Sequence, residues 1–203
     1  MRLTTHLGFR RDTPILDLGC GTGRLATGIL TTIGHAEHYR GVDVSERAIR
    51  WCERFITRDH HGFVFLHTDV RHERYNPDGK NALEGFRFPF ADAEFEIVYA
   101  YSVFSHMRDP DVRLYLDEVQ RVTSPTGRLF FTAFAEEDVP DVMENPPNYR
   151  VDWGGTPLHC VRYNRKFLEG LVVMAGFGVD RFDYATETNG QSAVYASKRP
   201  AGA

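Results

Sequence analysis

The feature that most constrains this chain is a short run at residues 15–24, Ile-Leu-Asp-Leu-Gly-Cys-Gly-Thr-Gly-Arg. An apolar stretch rises into an acidic residue and then breaks into three closely spaced glycines. A helix-competent segment, residues 24–30, follows at once. A buried parallel strand that turns tightly into a helix has this pattern. Glycine suits backbone of positive φ, and places where a ligand must lie against the main chain with no Cβ in the way. In an open α/β sheet such a turn sits at the carboxyl end of its strand, where ligands bind.

The spacing narrows the ligand. A dinucleotide fingerprint reads G-x-G-x-x-G with an acidic residue about 20 positions on. Here the glycines read G-x-G-x-G, and Asp17 stands two residues before the first of them. A carboxylate there repels a pyrophosphate and accommodates positive charge. Residues 39–44, Tyr-Arg-Gly-Val-Asp-Val, form a second short strand that ends in Asp43. An acidic side chain at that place can accept hydrogen bonds from both hydroxyls of a ribose. The two signals together indicate a nucleoside ligand with no required pyrophosphate.

These residues resemble the class I S-adenosylmethionine-dependent methyltransferases. Residues 16–24 are similar to that family's first motif, the E/D-x-G-x-G-x-G loop, and residues 41–49 to its second. His67-Thr68-Asp69-Val70 resembles the third, and residues 95–98 with 101–106 resemble the fourth. The resemblance runs from about residue 13 to about residue 198. It implies a three-layer α/β sandwich with a doubly wound, mainly parallel seven-stranded sheet and a C-terminal antiparallel hairpin, as a single domain over residues 1–203. It implies S-adenosylmethionine as cofactor, held by Asp17, Gly19, Cys20, Gly21, Gly23, Asp43, Val44, Asp69, Val70 and Tyr101. Asp69 would bond the adenine amino group, with Val70 beside the ring. Members of the family usually carry additional N-terminal helices over the cofactor, whereas only about a dozen residues stand before the first strand here. They also usually show a Lys-Pro-Gly-Gly turn, where this chain has Ser124-Pro125-Thr126-Gly127.

Bulk properties exclude other classes. With 203 residues the chain is long enough for one domain with a substantial core. A net charge of −4 gives no global attraction to nucleic acid or to an anionic membrane. Three scattered cysteines, Cys20, Cys52 and Cys160, make no disulfide framework. Residues 1–11 have no apolar core of signal-peptide length, and no later run approaches a membrane span. A cytoplasmic setting follows as the expectation. No metal site is expected: neither His35 with His38 nor His60 with His61 has the acidic or cysteine complement of a ligand set. No oligomeric state is legible.

Further along, Ser45 is an N-cap. After it Ala48, Ile49, Cys52, Phe55 and Ile56 recur at helical spacing and should face the sheet. Arg47, Arg50, Arg54 and Arg58 recur on the other side, balanced by Glu46, Glu53 and Asp59, and read as a solvated face rather than a nucleic-acid stripe. Residues 63–66 form a third strand and 95–101 a fourth. The connection between them, rich in Asn, Pro, Gly and aromatics over residues 71–93, is either a cover for the site or a surface insertion with its own small core. Asp109, as cap, and Pro110 open the next helix, which ends near Val122. Residues 127–134 are a fifth, apolar strand. Asn164 caps a last helix that Gly176 terminates. Residues 177–186 and 192–197 are two strands joined by Asn189 and Gly190, the strongest short hairpin signal. Dinucleotide dehydrogenases usually end on a parallel strand instead.

Methyl transfer from a sulfonium is an in-line displacement with an activated donor, so the protein supplies positioning and, where needed, a base. His106, just after the fourth strand, is the first candidate base and also reads as a structural histidine. His159, on the loop 135–163 with Tyr149, Trp153 and Tyr163, is the second. That loop is where recognition of a small-molecule acceptor would be built. The leading function is methylation of such an acceptor, at oxygen of a sugar, lipid or secondary metabolite. A cofactor-binding module without catalysis and a nicotinamide-type oxidoreductase are the alternatives.

Overall fold

A computed structural model describes residues 2–82, 84–149 and 157–200. At its centre lies β1 (Ile15–Leu18), four buried residues with parallel strands on both sides. The parallel run is β3 (Phe63–His67), β2 (Tyr39–Asp43), β1, β4 (Phe95–Ala100) and β5 (Thr123–Glu136). Two strands close the sheet antiparallel: β9 (Ser192–Lys198) pairs with β5, and β8 (Phe177–Asp183) pairs with β9. These are the seven strands expected from the sequence.

Two more appear inside the loop 135–163. β5 is 14 residues long. Its residues 128–133 pair with β9, while Phe134, Ala135 and Glu136 continue past the sheet and pair with β7 (Val161–Asn164), which holds β6 (Val142–Glu144) antiparallel. Among the described residues the sheet thus has nine strands rather than seven.

Alternation along the strands builds the layers. Ile15, Ile97, Phe130 and Tyr195 face one side, with Leu3 and Leu7 of α1 (Arg2–Leu7), Ala26 and Ile29 of α2 (Arg24–Thr32) and Ile49 of α3 (Glu46–Cys52). Leu16, Val98, Leu129 and Val194 face the other, with α4 (Asp109–Val122) and α5 (Arg165–Met174). Helices on both faces of a mostly parallel sheet make the three layers. The short α1 was not anticipated from the sequence. No described helix is long and apolar enough to cross a membrane.

Several local expectations are corrected. Phe55 does not face the sheet. The α3 backbone passes into a π-turn over Glu53–Thr57, whose wider winding carries Phe55 round to solvent while Ile56 stays buried. There Phe55 packs at a tilt against Trp51, which is also exposed, ring centroids 5.1 Å apart. Arg108, not Asp109, occupies the cap position of α4; Asp109 lies in the first turn, where its charge still meets the positive end of the helix. Residues 124–127 form a bulge within β5, since pairing steps from Phe95 opposite Thr123 to Ile97 opposite Arg128. Thr126 therefore sits at the amino end of β5, away from the carboxyl ends where a ligand binds. In the terminal hairpin Asn189 and Gly190 do take left-handed backbone, φ 58° and 73°. They form the tip of a longer connection, because the ladder stops at Asp183 opposite Ala193.

The glycine turn gives a first test. Gly23 has φ 76°, and a Cβ there would meet Ile56 Cδ1 at 2.5 Å; at Gly28, inside α2, a Cβ would meet nothing within 4 Å. Gly23→Ala should lower stability by about 1–2 kcal/mol, a fall in Tm of roughly 2–4 °C per kcal/mol. Gly28→Ala should raise it by about 0.5–1 kcal/mol. Thermal unfolding of both variants is the check, and equal shifts would contradict this account of the turn.

Candidate active site

After β1 the chain turns through Gly19, Gly21 and Gly23, all left-handed, before α2 begins at Arg24. Two of these glycines are forced by packing: a Cβ on Gly19 would lie 2.6 Å from Val103 Cγ2, and Gly23 abuts Ile56. Gly21 is different, because a Cβ there would meet nothing within 4 Å. It borders a cleft of about 350 Å³. Asp43, at the end of β2, closes the other side. Its Oδ2 accepts the Gly21 N–H and its Oδ1 the Ser45 N–H, both at 2.8 Å. One carboxylate thus ties the first strand-to-helix turn to the second and still lines the cleft.

Cys20 and Asp17 sit behind that turn. The Cys20 amide donates to Val42 O, and its side chain is buried. Hydrogen bonding with Cys52 and then burial hold its thiol pKa far above the usual range. Asp17 is 3% exposed and accepts a hydrogen bond from Tyr39 Oη. Burial raises its pKa to about 7. It borders a second cavity of about 300 Å³ that shares Gly19 and Tyr101 with the main cleft and also contains Arg24. The Arg24 guanidinium lies 4.3 Å from the Tyr101 ring centroid.

The remaining sequence candidates divide. Val44, Tyr101 and His106 line the main cleft. Val70 is buried and borders an adjoining cavity, again with Val44. Asp69 is not among the residues lining the cleft: its Oδ1 accepts from Asn76 Nδ2 at 3.2 Å, and Thr68 takes the place at the cleft wall. Trp153 lies outside the described residues.

His106 stands on a 3-10 turn, Phe104–His106. Its Nδ1 donates to Leu158 O at 3.2 Å, which leaves the lone pair of the neutral ring on Nε2. Burial depresses its pKa to about 4, so the ring is neutral at ordinary pH. The His159 ring packs edge-on against it at 5.9 Å, and burial lowers the His159 pKa too.

Residues 71–93 divide between their two readings. The first part covers the cleft: His72 and Tyr75 line it, and His72 Nε2 donates to His106 O at 3.1 Å. The second part packs a small aromatic core, Phe86 and Phe88 against Tyr115 of α4. Arg108 fastens the cover by pairing with Glu73 on one side and Glu144 of β6 on the other. His72, Tyr75 and Ser102 were not singled out from the sequence. The aromatic and polar density of the connection was a signal for the first two.

The site's residues fit S-adenosylmethionine. Asp43 offers carboxylate oxygens to a ribose, Gly21 leaves room against the main chain, and Arg24 offers a positive charge to an amino-acid end, with Asp17 lining the same cavity. The sheet order and this site define a class I S-adenosylmethionine-dependent methyltransferase. The chain belongs to the methyltransferase-domain family, whose profile matches residues 15–127. It is 28% identical to an O-methyltransferase of Aspergillus nomiae over 96% of this chain and 79% of that one. It is 31% identical to an O-methyltransferase of Aspergillus sclerotiorum over 63% of this chain but only 44% of the relative, so it spans less than half of that protein. Among solved structures, the 1,6-didemethyltoxoflavin N1-methyltransferase of Burkholderia thailandensis, with 1,6-didemethyltoxoflavin and S-adenosylhomocysteine bound, shares the fold. That likeness has a TM-score of 0.68 and 17% identity, covering 98% of this chain and 75% of that one.

Asp17 generates a pH test. Its folded pKa of about 7 stands above the ordinary 3.8. The folded state therefore keeps a proton that the unfolded chain releases between those values, and this contribution to stability is lost as pH rises through that window. At about 1.4 kcal/mol per pKa unit the upper bound is about 4 kcal/mol. Asn at this position still accepts from Tyr39 and does not titrate. The stability of Asp17→Asn relative to the parent should rise from pH 4 to pH 8, measured by urea unfolding. A difference independent of pH would contradict the assignment.

Proposed function

We propose that residues 1–203 act as a single methyltransferase domain that transfers a methyl group to oxygen of a small-molecule acceptor, a sugar, lipid or secondary metabolite. The observation that carries the reading is a neutral imidazole, His106, on the wall of the cleft that Gly21 and Asp43 frame. Two relatives named O-methyltransferases support oxygen as the receiving atom. The three cysteines are free thiols, which agrees with work in a reducing cytoplasm.

S-adenosylmethionine supplies a methyl group already activated on a positively charged sulfur. The chain's residues do the rest. Asp43 holds the ribose hydroxyls. Val44 and Val70 offer apolar surface to the base, with Asp69 nearby. Arg24 receives the carboxylate of the amino-acid end, and Asp17, ionised once its proton leaves near pH 7, receives the ammonium. The acceptor enters beneath His72 and Tyr75, beside Tyr101 and His106, with Leu158 of the loop 135–163 bonded to the His106 ring. His106 Nε2 takes the acceptor's proton, with His159 packed behind the ring. His72 keeps the His106 main chain in place.

The test is turnover with a panel of sugars, phenols and hydroxylated lipids, using radiolabelled cofactor. Methylation of at least one hydroxyl is expected, and none by a protein that binds cofactor would leave a binding module. His106→Asn should slow transfer about 10²-fold. That is the low end of the usual range for general-base assistance, because a group of pKa about 4 is a weak base. The same pKa places the acid limb of the pH–rate profile near 4 rather than 6.5. An acid limb near 6.5, or parental turnover by His106→Asn, would remove His106 from the reaction.

A further inference from the structure

Ser102 is the second residue past β4, and it lines the cleft between Tyr101 and Val103. Its backbone is left-handed, φ 57°, a conformation that disfavours any side chain with a Cβ. Such a residue persists where its surroundings over-determine it, and such places cluster at functional sites.

The surroundings here are a closed ring of three hydrogen bonds drawn from three distant parts of the chain. The Ser102 N–H donates to Thr132 Oγ1 at 2.8 Å. The Thr132 hydroxyl donates to Gln191 Oε1 at 2.6 Å. Gln191 Nε2 donates to Ser102 Oγ at 2.6 Å. Thr132 and Gln191 are buried, at 0% and 3% exposure. The direction of the ring is fixed by chemistry. With the Gln191 amide turned over, the Thr132 hydroxyl would be a buried donor with no acceptor, at the cost of its desolvation. In the direction described the ring uses the Ser102 N–H, the Thr132 hydroxyl hydrogen and one hydrogen of the Gln191 amide. The Ser102 hydroxyl accepts from Gln191, and its own hydrogen has no partner among the described residues.

The same connection also grips the neighbouring side chain. Tyr101 Oη shares a hydrogen bond of 2.9 Å with Thr188 Oγ1 and accepts from the Thr188 N–H at 3.2 Å. The link between β8 and β9 therefore holds two successive residues of the cleft wall.

We infer that the Ser102 hydroxyl is a substrate-contacting donor, aimed by Thr132 and Gln191 at an oxygen of the methyl acceptor. The acceptor class this selects carries a hydrogen-bond-accepting oxygen, a carbonyl, ether or second hydroxyl, next to the oxygen that is methylated. Gln191 is then a positioning residue, acting through Ser102 without touching the substrate. The inference rests on the methyltransferase reading and deepens it. The acceptor is assigned as the partner because Ser102 shares the cleft wall with His106 and Tyr75, whereas Asp43 serves the ribose from the opposite side.

The experiment measures three quantities on parent and variants: kcat/KM with the acceptor that the panel identifies, S-adenosylhomocysteine affinity by calorimetry, and Tm. Ser102→Gly removes the donor in a residue that tolerates positive φ, and this relief offsets the cost of leaving Gln191 Nε2 without its acceptor, so its Tm should change little. Its kcat/KM should drop roughly tenfold, the scale of one hydrogen bond, while S-adenosylhomocysteine affinity stays at the parental value. Gln191→Leu should reproduce the drop, and the Ser102→Gly, Gln191→Leu double variant should lose no more than Ser102→Gly alone. Thr132→Val is the companion variant should Gln191→Leu fold poorly. Parental kcat/KM in Ser102→Gly overturns the inference. An equal loss of S-adenosylhomocysteine affinity also overturns it, since the hydroxyl would then serve the cofactor. Additive losses in the double variant would remove the positioning role of Gln191. The parental protein's own turnover reports separately on the methyltransferase reading, and the variant-to-parent ratios report on this one.

Discussion

The structure depends on one carboxylate. Asp43 receives the amides of Gly21 and Ser45, and so joins the turn after β1 to the turn after β2. Hydrogen bonds from main-chain N–H groups to an ionised acceptor are short and strong. These two fix the distance between two loops that would otherwise move independently. They also leave the carboxylate at the wall of the cleft. The group that could recognise a ribose is thus the group that sets the shape of the pocket around it.

The sheet makes that arrangement rigid. Alternate residues of β1, β4, β5 and β9 enter one apolar layer or the other, so no strand can slip by one residue without exposing its core side. The carboxyl ends of β1, β2 and β4 then lie side by side, and the cleft is where they meet. The C-terminal hairpin is part of the site as well as its boundary. Through Gln191 and Thr188 it reaches back to Ser102 and Tyr101. The cover is built in the same way, with Arg108 pairing to Glu73 and Glu144 on two different segments.

The sequence made the fold legible because its signals are local. Short apolar runs, the glycine turn, the Ser45 and Asn164 caps and the terminal hairpin each depend on a few neighbouring residues, and each appears in the structure. What stayed illegible depends on contacts far along the chain. The π-turn that exposes Phe55 leaves no mark in a 3.6-residue periodicity. β6 and β7 are three and four residues long, and they exist because β5 overruns the sheet edge and offers them a partner. Asp69 stands two residues past β3, yet Asn76 bonds its carboxylate away from the cleft wall, a contact set by the folded connection. Ser102 could not be singled out from its neighbours, because the residues that make it notable are Thr132 and Gln191.

The central claim is that the Gly21 turn and Asp43 form a nucleoside pocket for S-adenosylmethionine rather than a dinucleotide site. Titration calorimetry with S-adenosylhomocysteine and with NAD tests it most directly, on the parent and on a folded Asp43→Ala variant. The account predicts one S-adenosylhomocysteine per chain, no NAD binding, and a loss of about 1.5–3 kcal/mol in the variant, the range for hydrogen bonds to a charged group. NAD binding in preference to S-adenosylhomocysteine, or unchanged affinity in Asp43→Ala, would contradict it.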